Sequence, residues 1–500
     1  MADFDLAIIG GGINGVGIAR DAAGRGLKVL LVEQNDLASG TSSASTKLIH
    51  GGLRYLEFYA FRLVREALAE REVLLRIAPN LVHPMRFVLP AEAGYRPGWM
   101  LQIGLILYDW IGGRRTLPGH RTIDFAADPA GLPLKRNFTY GFEYSDCAVD
   151  DARLVVVNAL DAAERGATIR TRTRCVRAER AAEWTLVLNA RGRRDVATAR
   201  VLVDASGPWI PIVAETVLRL EEPLPVRLVK GSHIVVKRRF EHDRAYILPT
   251  PDGRVVFARP FGPDFTLIGT TDEDFVGDPA VPTVEAREIS YLCDSVNAYF
   301  REPLSPADVI WAFAGVRSLY DDGAGSATET TREYHLALDR AEGKAPLLTI
   351  YGGKITTYRR LAEDVLAKLR DFFPDAKARK RWTAKWTLPG GDFPPGSDDA
   401  LVVETRRTWP FLGEAQARRL VAAYGTRVKL VLEKVTRAEH LGPTFGAGLT
   451  GAEVRYLMRH EWAETADDVL WRRSKLGLYL SKEEAAAVER FMTSAIGTGT

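Results

Sequence analysis

A glycine-rich turn near the start of the chain has the residue types needed to bind a dinucleotide. Gly10, Gly12 and Gly15 form the pattern G-x-G-x-x-G between an apolar strand and a helix, and Glu33 ends the next strand. Glycine lets the backbone approach a pyrophosphate at the helix N-terminus, and the Glu33 carboxylate can accept hydrogen bonds from an adenosine ribose. Because strand, turn, helix, strand and acid occur in register, the segment indicates a binding site rather than a structural turn. The pattern admits NAD or FAD.

A long polar loop follows the second strand. Its sequence, SGTSSASTKLIHGGLRYLE, spans residues 39–57 and is rich in hydroxyl groups and glycine, with Lys47, His50 and Arg54 among them. A binding site for NAD could end at Glu33, whereas this loop could wrap a second phosphate and a flavin ring. A solvated surface loop explains the composition equally well. Together with the glycine turn, the loop favours FAD.

The apolar pattern predicts the elements that would position these residues. Short apolar runs at 6–9 and 29–32 predict buried strands, and alternating runs between 226 and 269 predict an antiparallel sheet. The Pro- and Gly-rich stretch 388–399 indicates a linker, and helical patterns follow it. We therefore expect an α/β protein with three parts: a discontinuous Rossmann-like FAD-binding domain (1–79 with 150–215 and 310–387), an interleaved substrate-binding domain with an antiparallel sheet (80–149 with 216–309), and a linker with a C-terminal all-helical domain (388–500).

Charge and cysteine content narrow the function classes. The chain has 67 Lys and Arg against 64 Asp and Glu, a net charge of +3, so no global field favours nucleic acid. Its three cysteines lie far apart, without the spacing of a zinc site, so neither a disulfide framework nor a metal site is expected. No signal peptide is recognisable, and no apolar run reaches the roughly 18 residues that span a bilayer. We expect a cytoplasmic protein.

Several strings of residues occur in a fixed order along the chain. Besides the loop at 39–57, they are GFEYSDCAVDDARL (141–154), KGSHIVV (230–236), IGTTD (268–272), YGGKITTYR (351–359) and HEWAETADDVLWRRSKLG (460–477). Together they resemble the FAD-dependent glycerol-3-phosphate dehydrogenases, in particular the aerobic bacterial type, over nearly the whole chain. The resemblance implies hydride transfer from sn-glycerol 3-phosphate to FAD, which yields dihydroxyacetone phosphate, and transfer of the electrons to ubiquinone or menaquinone. It also implies peripheral attachment to the inner face of the cell membrane. A homodimer is a further candidate.

The resemblance also assigns roles to individual residues. It implies three catalytic residues, namely His233, Arg317 and Lys354. For the substrate it implies contacts from Arg54, Tyr55, Thr270, Arg317 and Lys354. For FAD we expect contacts from Gly10, Gly12, Gly15, Glu33, Ser45, Thr46, Lys47, Leu48, His50, Val176, Ser206, Gly207, Gly353 and Lys354.

The chemistry of these side chains fits those roles. A phosphate dianion is bound well by the planar fork of arginine and by the point charge of lysine. Taken singly, Arg54, Arg317 and Lys354 would more often be solvated surface cations. Oxidation of an alcohol requires a base for the hydroxyl proton, and a neutral histidine is the ordinary candidate. We favour His233 over its rival His50, which is expected beside the flavin, although a strand histidine is often only structural.

Two other functions fit the same sequence. An oxygen-dependent glycerol-3-phosphate oxidase would share much of this pattern. A non-catalytic protein on the same fold, such as a Rab-escort protein or a GDP-dissociation inhibitor, would need neither FAD nor the cations that a phosphorylated alcohol requires.

An apolar segment bears on membrane attachment. Residues 99–111, WMLQIGLILYDWI, have tryptophan near both ends and precede Arg114 and Arg115. Aromatic ends with neighbouring cations are typical of a segment lying in a bilayer interface. A buried core helix is an equally good interpretation, because apolar runs of about 10 to 14 residues commonly belong to a core.

Overall fold

The computed structural model describes residues 2–91, 97–113, 116–321, 323, 333–374 and 381–497. In chain order, the strands formed by these residues are β1 Phe4–Ile9, β2 Val29–Val32, β3 Leu48–Ile49, β4 Val82–Pro90, β5 Arg121–Asp124, β6 Tyr140–Val149, β7 Thr168–Arg170, β8 Thr173–Arg180, β9 Trp184–Ala190, β10 Arg193–Asp204, β11 Val226–Lys237, β12 Ala245–Pro249, β13 Val255–Phe261, β14 Phe265–Gly269, β15 Glu273–Asp274, β16 Val309–Tyr320, β17 His335–Asp339, β18 Leu347–Tyr351, β19 Thr444–Gly446 and β20 Leu449–Thr450. The α-helices are α1 Ile13–Gly24, α2 Phe61–Ile77, α3 Gly98–Ile111, α4 Asp151–Glu164, α5 Ile210–Ile212, α6 Ala286–Asn297, α7 Tyr358–Lys368, α8 Asp398–Thr408, α9 Glu414–Tyr424, α10 Val428–Val431, α11 Gly451–His460 and α12 Lys482–Gly497.

The first sheet is mainly parallel and has β1 near its centre. Its strand order is β17-β18-β10-β1-β2-β7, with β9 attached beside β10 and β8 beside β9. β1 pairs in parallel with β2 and β10, and β10 pairs in parallel with β18. The apolar residues of β1 and β2 are buried because both faces of a parallel sheet are covered. Helices α1, α4 and α7 share one hydrophobic core with this sheet. The Rossmann-like arrangement is confirmed.

The second sheet is mainly antiparallel. Its order is β15-β11-β14-β13-β12-β4-β6-β3, with β16 paired to β11 and β5 paired to β6. Only the pair of β4 with β12 is parallel among the pairings formed by described residues of this sheet. Helix α6 packs its apolar face on this sheet. The expected antiparallel sheet is therefore present, and it interleaves with the first sheet along the chain.

Two short stretches lie in a different sheet from the one that the sequence suggested. The sequence suggested that the first domain continues from residue 310. Strand β16, which covers the start of that range, instead pairs with β11 of the second sheet over most of its length. Strand β3, within the expected range 1–79, pairs with β6. Strand pairing between residues far apart in sequence decides both placements, and no local pattern carries that information.

The C-terminal part has its own hydrophobic core, formed by helices α8 to α12, with a small β19–β20 hairpin among them. It docks on the first domain through buried ion pairs. Arg153 of α4 donates to Glu461 across a distance of 3.1 Å, and Arg473 lies 2.7 Å from Asp36. Among the helices that the described residues form, none has the length and apolar character needed to cross a membrane.

The buried Arg153–Glu461 pair generates a prediction about stability. Both side chains are at most 2% exposed, so Arg153→Ala would leave a carboxylate buried without its main partner. We expect a loss of about 3–5 kcal/mol in the free energy of unfolding of the C-terminal part, measured by urea denaturation. The control, Arg418→Ala, removes an exposed pair with Asp399 and should leave the unfolding midpoint close to that of the wild type. Equal unfolding midpoints for the two variants would contradict a structural role for the buried pair.

Candidate active site

A cavity of about 660 Å³ opens between the two sheets, within the range usual for ligand pockets. It lies at the carboxyl ends of β1, β2, β10 and β18, where α/β folds commonly bind ligands, and the second sheet forms its far wall. Most of the site residues predicted from the sequence line this one cavity. They are Gly10, Gly12, Glu33, Ser45, Thr46, Leu48, His50, Arg54, Tyr55, Ser206, Gly207, His233, Thr270, Arg317, Gly353 and Lys354.

Three of the predicted FAD contacts do not line the cavity. Gly15 is buried behind the glycine turn, where a Cβ atom would overlap the carbonyl oxygen of Gly10. Close packing therefore explains why this position is a glycine. The Lys47 ammonium points away and pairs with Asp151 at 2.8 Å. Val176 is half-buried in β8, although its neighbour Cys175 does reach the cavity.

The glycine turn forms one end of the cavity. Gly10 has a φ of +114°, and a Cβ atom there would overlap the carbonyl oxygen of Ala205. Gly12 is the N-cap of α1 and has no side chain of its own to cap the helix; the Ser42 hydroxyl accepts a hydrogen bond of 3.0 Å from the Ile13 N–H, and the helix N-terminus suits an anion. The Glu33 carboxylate accepts a hydrogen bond of 2.7 Å from the Gly11 N–H. Its surroundings raise the pKa of Glu33, chiefly by removing water from the carboxylate.

A second glycine turn lies at the middle of the cavity, after β18. Gly352 and Gly353 both have positive φ, and the Gly352 carbonyl accepts a hydrogen bond of 3.2 Å from the Asn14 side chain. Lys354 follows at the start of the helical segment that leads into α7, and its ammonium lies 3.7 Å from the centre of the Tyr55 ring. A cation and a helix N-terminus therefore face the same part of the cavity, which would stabilise negative charge there.

Buried polar atoms at the cavity wall test whether a dinucleotide fits. Asn14 Oδ1 and Ser206 Oγ are buried and have no hydrogen-bond partner among the described residues. Both residues line the cavity. Since buried polar atoms in proteins are nearly always hydrogen-bonded, a polar ligand in the cavity would satisfy these two atoms. The glycine turns, the helix N-terminus and these two atoms together suit the diphosphate and polar ring edges of FAD.

His233 lies in the wall that the second sheet provides. Strand register places it between Gly269 of β14 and Phe313 of β16. Its ring stacks on Phe313 with centroids 4.9 Å apart, and Nε2 lies 2.9 Å from the Thr46 hydroxyl oxygen. A Cβ atom at Gly269 would overlap the imidazole, so glycine makes room for the ring. Burial first, then the positive charge of Lys47, lowers the pKa of His233 well below 6.5, which keeps the ring neutral.

His50 also lines the cavity. Its backbone N–H donates to the Thr356 hydroxyl at 3.3 Å, and its ring contacts Phe257 edge to face. Burial and the nearby Lys354 charge lower the pKa of His50 to about 4. Both histidines are therefore neutral at physiological pH. Their charge does not indicate which of them is the base, so the choice between them depends on their positions.

Of the five cations among the described residues that line the cavity, three come from segments that the sequence analysis singled out: Arg54, Arg317 and Lys354. Arg317 pairs with Asp272, and its guanidinium lies 3.4 Å from the Thr270 hydroxyl. Arg54 lies 5.6 Å from the Phe58 ring centre and has no ion pair among the described residues. Lys354 is the third cation. The cavity lining therefore carries positive charge from Arg54, Arg317 and Lys354, with the Asp272 carboxylate beside Arg317.

The sequence reasoning missed Asn14, Asp272 and Phe313. Asn14 lies inside the glycine motif and Asp272 ends the string IGTTD, so local signals existed for both. Phe313 had none, because its contact with His233 follows from the register between β11 and β16.

Comparisons with known proteins agree with this geometry. Residues 5–359 match the family of FAD dependent oxidoreductases, and residues 381–496 match the C-terminal domain of alpha-glycerophosphate oxidase. A glycerol-3-phosphate dehydrogenase of Pseudomonas aeruginosa is 50% identical over 98% of this chain and 95% of its own length. A D-erythritol 1-phosphate dehydrogenase of Brucella abortus is 48% identical over 98% of both chains. The structure of a Bacillus halodurans glycerol-3-phosphate dehydrogenase complexed with FAD superposes with a TM-score of 0.76, at 26% identity, over 98% of this chain and 94% of that one.

Fold and cavity define an oxidoreductase that uses FAD as its cofactor. Within that class, the chain belongs to the family of FAD-dependent glycerol-3-phosphate dehydrogenases.

The glycine turn generates a prediction about FAD content. Gly10→Ala would place a Cβ atom against the Ala205 carbonyl oxygen in a backbone conformation that favours glycine, and so distort the pyrophosphate site. We expect the purified variant to lose most of its flavin absorbance. The matched control is Gly26→Ala, which has the same kind of positive φ (+89°) but open space around the added atom. Full flavin content in Gly10→Ala, or equal loss in both variants, would contradict this placement of the cofactor.

Proposed function

We propose that the protein oxidises sn-glycerol 3-phosphate to dihydroxyacetone phosphate and passes the electrons to a membrane quinone, either ubiquinone or menaquinone. The observation that carries this proposal is that Arg54, Arg317, Lys354 and a neutral histidine, His233, line one cavity. These groups match the phosphate and the secondary hydroxyl of the substrate, and the P. aeruginosa relative bears the name of this activity.

The cations Arg54, Arg317 and Lys354 bind the phosphate. Arg317 is held in place by Asp272, so its guanidinium is already oriented before substrate arrives. Arg54 and Lys354 approach from the loop after β2 and the turn after β18, on other sides of the same cavity. Phosphate binding to these cations fixes the adjacent carbinol carbon within the cavity, where orientation lowers the barrier of the reaction.

His233 removes the hydroxyl proton. Its low pKa keeps the imidazole in the form that accepts a proton. A hydrogen bond between Nε2 and the Thr46 hydroxyl holds the ring at the cavity wall. FAD, when bound, supplies the hydride acceptor. The turn at Gly353 and Lys354 provides the positive field that stabilises negative charge on the neighbouring ligand. His50 is the less favoured base, because it lies against Phe257 beside Lys354 and lacks the hydroxyl partner of His233.

Two observations favour alternatives within the same chemistry. The match of residues 381–496 to the C-terminal domain of alpha-glycerophosphate oxidase leaves oxygen as a second candidate acceptor. The 48% identity to D-erythritol 1-phosphate dehydrogenase makes a longer polyol phosphate a second candidate substrate. A non-catalytic role on the same fold is disfavoured, because such a protein has no need of the three cations.

An anaerobic titration separates these functions. Addition of sn-glycerol 3-phosphate to the FAD-loaded protein should bleach the flavin, and D-erythritol 1-phosphate in a parallel titration should do so less readily. Reduced protein is then mixed with a soluble quinone or with oxygen. Faster reoxidation by quinone supports the proposal, whereas faster reoxidation by oxygen would make the protein an oxidase. A flavin that stays oxidised with both substrates would refute the dehydrogenase assignment.

Arg317 provides the mutational test of the substrate site. Arg317→Ala should weaken substrate binding about 10- to 100-fold in the anaerobic titration, because a hydrogen-bonded charge contributes about 1.5–3 kcal/mol. The flavin content should stay at the level of the wild type. Arg340→Ala serves as the control, since Arg340 is half-exposed and pairs with Asp371 away from the cavity. Loss of FAD from Arg317→Ala would instead identify Arg317 as a cofactor contact.

We also propose that α3 attaches the protein to the membrane surface. Large apolar side chains recur at helical spacing on its outer face, namely Trp99, Met100, Ile103, Ile106 and Trp110. Leu105 and Tyr108 on the inner face are buried. The alternative interpretation of this segment, as a buried core helix, therefore applies to its inner face only. The expected cationic neighbours Arg114 and Arg115 lie outside the described residues.

The apolar surface continues towards the cavity. Helix α3 packs beside the segment Leu53–Phe58 and the start of α2, and in this region Phe58, Tyr59 and Phe61 are exposed. Phe58 also lines the cavity. A contiguous apolar surface beside the cavity mouth would let a quinone approach from the bilayer without crossing water.

This surface generates a prediction about vesicle binding. The double variant Ile103→Glu, Ile106→Glu should bind phosphatidylglycerol-containing vesicles at least about tenfold more weakly, because each aliphatic side chain buried in lipid contributes about 1.5–3 kcal/mol. Its melting temperature should not change, since both side chains are half-exposed. The control Val403→Glu introduces a carboxylate at an exposed apolar position of the C-terminal part. Unchanged binding by the double variant would remove α3 as the attachment site.

A further inference from the structure

Four aromatic rings form a continuous stack from the cavity into the C-terminal part. The His233 ring stacks on Phe313 at 4.9 Å with an angle of 9° between the rings. Phe313 contacts Trp311 at 4.6 Å and 34°, and Trp311 stacks on Trp471 at 4.6 Å and 28°. We call these four residues the aromatic column. It links the proposed base to a domain of which no described residue lines the cavity.

The two middle rings are held by sheet geometry. Trp311 and Phe313 are two residues apart on β16, so both side chains point to the same face of the strand. The register pairs Phe313 with His233 and Trp311 with Val235 on β11. Phe313 also lies 5.0 Å below the Lys47 ammonium. Backbone pairing therefore fixes the positions of Trp311 and Phe313 on the sheet. Stacking between the side chains then decides the orientation of the ring planes.

Trp471 is anchored independently of the column. Its neighbours Arg472 and Arg473 bind the Asp36 carboxylate at 2.6 and 2.7 Å, which fastens this segment to the first domain. The Trp471 carbonyl accepts a hydrogen bond from the Lys475 ammonium, and a Cβ atom at Gly477 would overlap the indole. The outer ring of the column is thus rigidly placed.

We infer that Trp471 is a positioning residue, through which the C-terminal domain sets the plane of the His233 ring by way of Trp311 and Phe313. This inference rests on the base role proposed for His233. His233 has only one polar contact, with Thr46, and its Nδ1 has no hydrogen-bond partner among the described residues. One hydrogen bond leaves a ring free to rotate about that contact, so the remaining orientation comes from packing, against Gly269 and in the stack on Phe313.

Stacking has the strength to do this. Each aromatic pair contributes about 0.5–1.5 kcal/mol beyond its buried area, so the three consecutive ring contacts can hold one ring orientation against thermal tilting. Truncation of Trp471 leaves Trp311 without its outer partner and opens the column to water. The charges that act on His233 are those of Lys47, Arg317 and Asp151. The Trp471 variant does not change these charges. Water that enters the column would reduce the desolvation of His233, and the pKa of His233 would rise towards 6.5.

The experiment uses the FAD-loaded full chain in four forms: wild type, Trp471→Ala, Trp471→Phe and Tyr479→Ala. Tyr479 is the matched control, because it lies in the same segment and packs on Phe265 of the second sheet but not on the column. The rate of anaerobic flavin reduction at saturating sn-glycerol 3-phosphate, the half-saturating concentration and the pH dependence are measured. The titration of His233 is followed separately by NMR of ¹⁵N-histidine-labelled protein, with His233→Gln for assignment.

We expect Trp471→Ala to reduce flavin about 10- to 100-fold more slowly at saturation, with little change in half-saturation and full FAD content. Its His233 titration and the acid limb of its rate should both move to higher pH. Trp471→Phe should restore both, and Tyr479→Ala should resemble wild type. If Trp471→Ala does not fold, Trp471→Leu keeps an apolar side chain and is judged by the same criteria.

An unchanged His233 titration in Trp471→Ala would overturn the inference, as would equal losses in Trp471→Ala and Tyr479→Ala. The two arms also separate this inference from the proposed function. If wild-type flavin is not bleached by the substrate, the proposed function fails, while the NMR titration still decides whether Trp471 fixes the His233 ring.

Discussion

The buried ion pair between Lys47 and Asp151 is the contact on which the geometry of the site depends. Both side chains are at most 2% exposed, and the Ser45 hydroxyl adds a hydrogen bond of 2.7 Å to the same carboxylate. Burial lowers the pKa of Lys47 to about 8, against the opposing effect of Asp151, so the ammonium remains largely charged at neutral pH. With Lys47 turned inwards, its neighbours Thr46 and Leu48 face the cavity, and Thr46 reaches His233.

The loop held by this pair joins the two sheets, and neither sheet could form the site alone. The parallel sheet provides the glycine turns and Glu33, whereas the antiparallel sheet provides His233 and Arg317. An FAD molecule extended between them would have its nucleotide on one sheet and its reactive ring beside the other. Two buried ion pairs, Arg473 with Asp36 and Arg153 with Glu461, hold the C-terminal part on the first domain. Burial of those charges is costly without partners, which makes the docking specific.

How much of this could be read from the sequence depends on how local each feature is. The turn at Gly10 and the acid at Glu33 were predictable because strand, turn and helix lie within 33 residues. The roles implied for Arg54, His233 and Arg317 came from matched strings, and the structure brings these residues to one cavity. The direction of Lys47 was not predictable, since its partner is 104 residues away. The place of β16 and the stacking of Phe313 on His233 likewise depend on pairing between distant strands.

The central claim is that this cavity breaks the carbon–hydrogen bond of a phosphorylated secondary alcohol. Rapid anaerobic mixing of the FAD-loaded protein with sn-glycerol 3-phosphate, unlabelled or deuterated at C2, tests that claim most directly. The account predicts that the flavin is reduced in a single turnover and that deuterium slows the reduction, because the bond to C2 breaks as hydride leaves. Reduction at the same rate with both substrates at saturation, or no reduction of the flavin, would contradict it.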